Sequence, residues 1–169
     1  MKKCISLLLS LFFLFSVALA ESALTLTDED LYLDPEEQIE RNLHVGSFSF
    51  RGPEGWTENE LADTLQLINE ESTRFLTAFS VDYAALELDL SNDEIRAAAY
   101  DSMAEKYQCT ASADAGDARY CVGTVDGRGT VFYLLGVQGE MIVLMLTSLT
   151  DDIPEVSELS PYAKTLLHD

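Results

Sequence analysis

Two cysteines, two histidines and a surplus of carboxylates are the side chains whose chemistry has to be weighed first. Cys109 and Cys121 bracket a stretch holding Asp114, Gly116 and Asp117, which are turn formers. No histidine neighbours either cysteine in the sequence and neither sits in a CxxC, so the spacing predicts a structural disulfide rather than a nucleophilic or metal-binding thiol. On the chain-entropy model a loop of this length contributes about 3 kcal/mol. His44 and His168 stand far apart, and a Ser–His or Cys–His nucleophile pair would need one of them carried into a pocket. The adjacent acids Asp28-Glu29-Asp30, Glu36-Glu37 and Asp151-Asp152 read as solvated turns. Hydrolytic acid–base work needs two carboxylates at a fixed separation, one with a raised pKa. Asp114-Ala115-Gly116-Asp117 lacks the alternating ligands and terminal Glu of an EF-hand loop. Gly127-Arg128-Gly129 begins like a dinucleotide-binding loop, but Phe132 occupies the third glycine position and the stretch joins two strands. There is no GxSxG, HExxH or P-loop. The residues therefore predict no catalytic set, no metal ligands and no cofactor, with Cys109 and Cys121 as a structural pair.

The ends and the charge say where such a chain works. Met1-Lys2-Lys3 is a positive start, Ile5 to Val17 is almost wholly apolar, and Ala18-Leu19-Ala20 offers small residues for cleavage before Glu21. These are the three parts of a secretory signal peptide. The apolar run is shorter than the roughly 20 residues of a spanning helix, so no membrane anchor is expected after cleavage. Cys4 lies ahead of the apolar run, where a lipid-attachment cysteine would not be. Removal of residues 1–20 leaves 149 residues, 8 of them basic and 30 acidic, with a net charge of −22. That length suffices for one domain with a core. Nucleic acid and anionic lipid surfaces would repel it, whereas a cationic ligand or basic protein would be drawn in. Cys109 and Cys121 become the only cysteines, in a compartment where thiols oxidise.

These residues must be positioned by the elements between them. Residues 21–43 read as a loosely attached acidic arm, with Pro35 opening a short helix through Glu40, and residues 44–169 as one domain. Val45 to Phe50 alternates as a strand, and Arg51 to Gly55 forms a turn leading to Trp56, which returns the chain. Leu65–Glu70 and Arg74–Asp82 are further strands. Ser91 and Glu94 form a capping box for a helix running to Gln108, with Ile95, Ala98, Ala99, Met103 and Tyr107 as its narrow apolar stripe. Arg119–Val125, Val131–Val137 and Met141–Ser148 make a meander through turns at Asp126-Gly127 and Gln138-Gly139. The last two strands are apolar at nearly every position, which is the mark of strands covered on both faces. Ser160-Pro161 predicts the start of a final helix that buries Leu159, Tyr162, Ala163, Leu166 and Leu167. Lys164 and His168 would then stand near its negative end.

The stretch FSFRGPEGW resembles the opening strand, Pro, small residue and Trp corner of PsbP-type proteins. The pairing of MIVLMLTSL with the helix SPYAKTLL is similar to that family's end. The resemblance spans roughly residues 44 to 167 and implies an α+β fold, a twisted antiparallel sheet sandwiched between helices. It carries over no catalytic residue. Trp56 is expected to pack at the corner rather than to stack a ligand. The expectation is a secreted, non-enzymatic binding or accessory domain for an unknown protein or cationic ligand, touching it through a sheet face or the acidic arm. The alternative is a secreted hydrolase using surface carboxylates or a Cys/His pair.

Overall fold

Strand β9, Glu140–Ser148, is buried at every residue from Met141 onward. Because side chains alternate across a strand, this one segment feeds two cores. The computed structural model, which describes residues 24–33, 39–61 and 64–169 with the side chains of residues 60 and 61 excepted, shows both. Ile142, Leu144 and Leu146 enter a first core, and Met141, Val143 and Met145 enter a second on the opposite face. Burying each such side chain is worth about 1.5–3 kcal/mol, so β9 is the spine of the fold. The signal-peptide reading and the Pro35 helix fall on, or lean on, residues outside those described.

The remaining elements, in chain order, are α1 (Asp28–Leu31), β1 (Leu43–Val45), β2 (Phe48–Phe50), β3 (Thr57–Leu61), β4 (Thr64–Ile68), β5 (Arg74–Asp82), α2 (Asp93–Lys106), β6 (Ala111–Ala115), β7 (Ala118–Val125) and β8 (Arg128–Val137). After β9 come α3 (Val156–Ala163) and β10 (Leu167–His168). The large sheet has seven strands in the order β3-β4-β5-β9-β8-β7-β6, and the small one is β1-β2-β10. Every pairing is antiparallel. The chain is thus α+β, with two antiparallel sheets and a few helices. The first face of the large sheet is covered by α3, through Val156, Leu159 and Ala163, and by Val45, Phe48 and Phe50 of the small sheet. The second is covered by α2, through Ala99, Tyr100 and Met103, with Leu90 ahead of it.

Several expectations need correction. The predicted strand across residues 45–50 is a hairpin. Gly46 takes a φ of +58°, which an L side chain disfavours, and a Cβ there would overlap the Glu140 carboxylate. Phe48, Ser49 and Phe50 are all buried as a result, and a second sheet flanks the first. The α2 cap is Asn92, whose Oδ1 accepts from the amides of Glu94 and Ile95 at 2.9 and 3.2 Å, and not Ser91. Ala98 is exposed, and Tyr100 takes a place in the buried stripe. Residues 111–115, expected as loop, form the edge strand β6. The last helix starts at Val156, five residues before the expected Pro161, because Glu155 and Glu158 build a capping box ahead of it. Its end is at Ala163, so Leu167, expected buried, is exposed and His168 lies in a strand. The described part of the acidic arm is docked by a buried Asp30. Trp56 is half-buried against the first core, as a packing residue would be.

Candidate functional site

The second face of the large sheet is roofed unevenly. Helix α2 follows the chain that leaves β5 and packs on residues of β7, β8 and β9, while β3, β4 and the outer part of β5 extend beyond it. The register sets which side chains share that open half. Asn59 and Gln66 continue the row of the buried Thr77 and Met145, and Thr57, Ile68 and Phe75 continue that of the buried Thr147, so the open part of each row is its β3–β4 end, with Phe75. The Asn59 Nδ2 donates to Gln66 Oε1 at 3.3 Å, which fixes the two amides on one side. Ile68 and Phe75 are half-buried, while Phe79 packs against the second core. Among the described residues, the strands place no charged side chain here, in a chain that is 24% charged with a net charge of −20. Acids stand at the rim, Glu70 and Glu71 in the exposed β4–β5 turn. The period of two along β5 puts Phe75, Thr77, Phe79 and Val81 on this face. Which half stays open depends on where α2 lands.

A second feature lies where the two sheets meet. Ser47, Asp82, Glu140 and His168 line an open cavity of about 390 Å³. Asp82 and Glu140 are direct partners in the β5–β9 register, and like charges opposite one another repel. Glu140 is turned toward the hairpin, where both its oxygens accept from the Ser47 amide at 3.3 Å. His168 meets the Phe48 ring edge-on, with centroids 4.9 Å apart. The two histidines, far apart in sequence, thus flank the same strand: His44 faces Ser49 on one side of β2, and His168 faces Phe48 on the other. Nothing in the chain's local pattern signals that meeting. Asp169 bridges Ser49 Oγ, which donates to its Oδ1 at 3.2 Å, and His44 Nδ1, at 3.9 Å from its Oδ2. A hydrolytic triad puts the imidazole between hydroxyl and carboxylate, whereas here the carboxylate is in the middle. Ser49 is also only 4% exposed.

The other predicted groups are engaged. Cys109, half-buried, and Cys121, fully buried, both sit as thiols and pack in the second core. The neighbouring thiol lowers the Cys109 pKa and, together with burial, raises that of Cys121. Asp114 binds Arg119 Nε at 2.7 Å and Asp117 binds Arg96 at 2.9 Å. Asp152 is held below the usual carboxylate range by the hydroxyls of Ser148 and Thr150 and by Arg74. Among the described residues, no group of three or more His, Cys, Asp or Glu side chains could hold a metal ion. Burial alone would raise the pKa of Asp30, but hydrogen bonds from Thr27 and Ser160 bring it below its ordinary value. The arm around it, with Val122 and the start of α3, lines a cavity of about 530 Å³.

No family model matches the chain, and no curated protein does. A crystal structure from Bacteroides thetaiotaomicron VPI-5482 is similar, with a TM-score of 0.51, 13% sequence identity and coverage of 73% of this chain. The match takes in 45% of that protein's chain, so the present chain corresponds to less than half of it. At this identity the likeness concerns the fold alone.

Proposed function

We propose that the chain is an exported, non-enzymatic binding or accessory domain of the PsbP-like kind, which holds a partner protein on the open half of its large sheet. The observation that carries this reading is the absence of charge, among the described residues, on the β3–β4–β5 face of so acidic a chain. A partner with an apolar centre and a basic border fits it. The long-range field speeds encounter, and the half-buried Ile68 and Phe75 supply the desolvated contact. Photocrosslinking tests it. A crosslinking residue at Gln66 should yield one dominant adduct from the extracellular proteins of producing cells, and the same residue at exposed Ser102 on α2 should not. Equal labelling at both positions, or none at Gln66, refutes the reading.

The meeting of Asp82, Glu140 and His168 in one cavity favours a second reading, a hydrolase working at that cleft. Asp82→Asn and Glu140→Gln would then abolish turnover on an ester or glycoside panel. Binding at the sheet face predicts that both variants retain the Gln66 crosslink.

A further inference from the structure

The chain leaves α2 through Tyr107 and turns at Gln108, whose φ is +50°, so that Cys109 drops beside β7. Three backbone hydrogen bonds clamp it there. Cys109 N donates to Ala104 O at 2.9 Å, Thr110 N to Val122 O at 2.7 Å, and Thr124 N to Tyr107 O at 3.1 Å. Gly123 admits this approach: a Cβ on it would stand 2.7 Å from Tyr107 O and 3.0 Å from the Cys109 Cα. Cys121 lies opposite Phe132 in the β7–β8 register, and Tyr107 stacks on that same ring with centroids 4.9 Å apart. Cys109 therefore lies over Gly123, two residues along the same face of β7 from Cys121, and both side chains pack into the second core beneath the end of α2, one reachable from solvent and the other 0% exposed.

We propose that Cys109 and Cys121 form an ordered redox latch: Cys109 takes the mixed disulfide from an external disulfide, and Cys121 resolves it, locking the end of α2 to β7. The Cys109 thiolate attacks one sulfur of RS–SR, forming Cys109–S–S–R, and the other half leaves as a thiolate that picks up the Cys109 proton. Cys121 then gives up its proton and attacks the Cys109 sulfur, and the second half leaves as RSH. Two electrons and two protons pass to the external disulfide, which becomes two thiols. The order follows from access, because a buried Cys121 meets no partner except the sulfur beside it. The lowered pKa of Cys109 assists the first attack. Since both side chains already pack in one cluster, the bond forms in the folded state.

Oxidised glutathione is the probe, read by intact mass and peptide mapping. The folded wild-type protein should end lighter by two hydrogens with no glutathione retained, and a sample quenched early should carry one glutathione at Cys109. Cys121→Ser should keep that adduct. Cys109→Ser should stay unmodified until denaturant exposes Cys121. Oxidised wild type should unfold with an equilibrium constant roughly a hundredfold smaller than the reduced protein. Early glutathione on Cys121 in folded wild type, glutathione retained on both cysteines, or two persistent thiols would overturn the proposal. The early wild-type sample decides the order even where a serine variant fails to fold.

Discussion

Asp30→Asn should release the arm from the domain without unfolding it. In the wild-type protein the Asp30 carboxylate is 6% exposed. One oxygen accepts from Thr27 N at 2.9 Å and Thr27 Oγ1 at 2.7 Å, and the other from Ser160 Oγ at 3.0 Å. An asparagine keeps one acceptor oxygen and turns an NH₂ toward donors on the other side. At least one buried donor is orphaned and a charge-assisted bond is lost, at about 1–2 kcal/mol each. The sum, about 2–4 kcal/mol, multiplies the opening of residues 24–33 by roughly thirty to a thousand. Global stability should fall by less, because once the arm is free the core no longer feels the substitution. The assay is limited proteolysis within the arm as a function of pH. Because the folded pKa of Asp30 is lowered, its stabilisation is complete above the unfolded value of about 3.9 and is lost as pH falls through the folded one. Wild-type cleavage should therefore rise only in that acid window, and the variant should be cleaved fast throughout. Equal cleavage of both proteins near neutral pH would refute the reasoning.

Tyr100→Phe removes the hydroxyl that donates to Asp117 O at 2.7 Å and accepts from the buried Gly136 amide at 2.8 Å, so the denaturation free energy should drop by about 1–3 kcal/mol. Burial pushes the same phenol up to about 12. Its stabilising contribution is complete below about 10 and is lost as pH rises toward 12, visible as a delayed phenolate absorbance that the variant lacks. Gly123→Ala sets a methyl against the backbone of Tyr107 and Cys109. This overpacking, about 1–3 kcal/mol, should lower the melting temperature by roughly 3–10 °C. Arg74→Met removes the guanidinium that reaches Asp152 and Glu158. The Asp152 titration, followed by NMR, should move up toward its ordinary value without reaching it, because Ser148 and Thr150 stay in place.

The parts of this fold that could be read from sequence are those where one local pattern has one outcome. Strands β8 and β9 were legible because unbroken apolar runs interrupted by Gln138-Gly139 fit only covered strands. The Asp126-Gly127 turn was equally plain, since both residues adopt positive φ. Strand β6 was not legible: Ala111 to Ala115 has little strand propensity and is held by the β7 ladder and by the Asp114–Arg119 pair. At the carboxyl end, Leu166 and Leu167 continue a helical spacing, but pairing of Leu167 and His168 with β2 outweighs it. Two cap-competent residues stand side by side at Ser91 and Asn92, and sequence offers no way to choose between them. For the candidate surface, the two faces of β5 were readable, while the placement of α2 and the small sheet came from contacts far along the chain.

Neither sheet can be completed by neighbours. Strand β5 waits for β9 across the whole of α2 and three intervening strands, and β2 is closed on one side by residues from the far end of the chain. Such non-local closure makes assembly slow and all-or-none. A fragment stopped before Met141 would display Leu76, Phe48 and Phe50 with nothing to lie against, a nascent chain prone to self-association. The same seam is held at its edge by Asp169, whose N donates to Ser47 O at 2.8 Å.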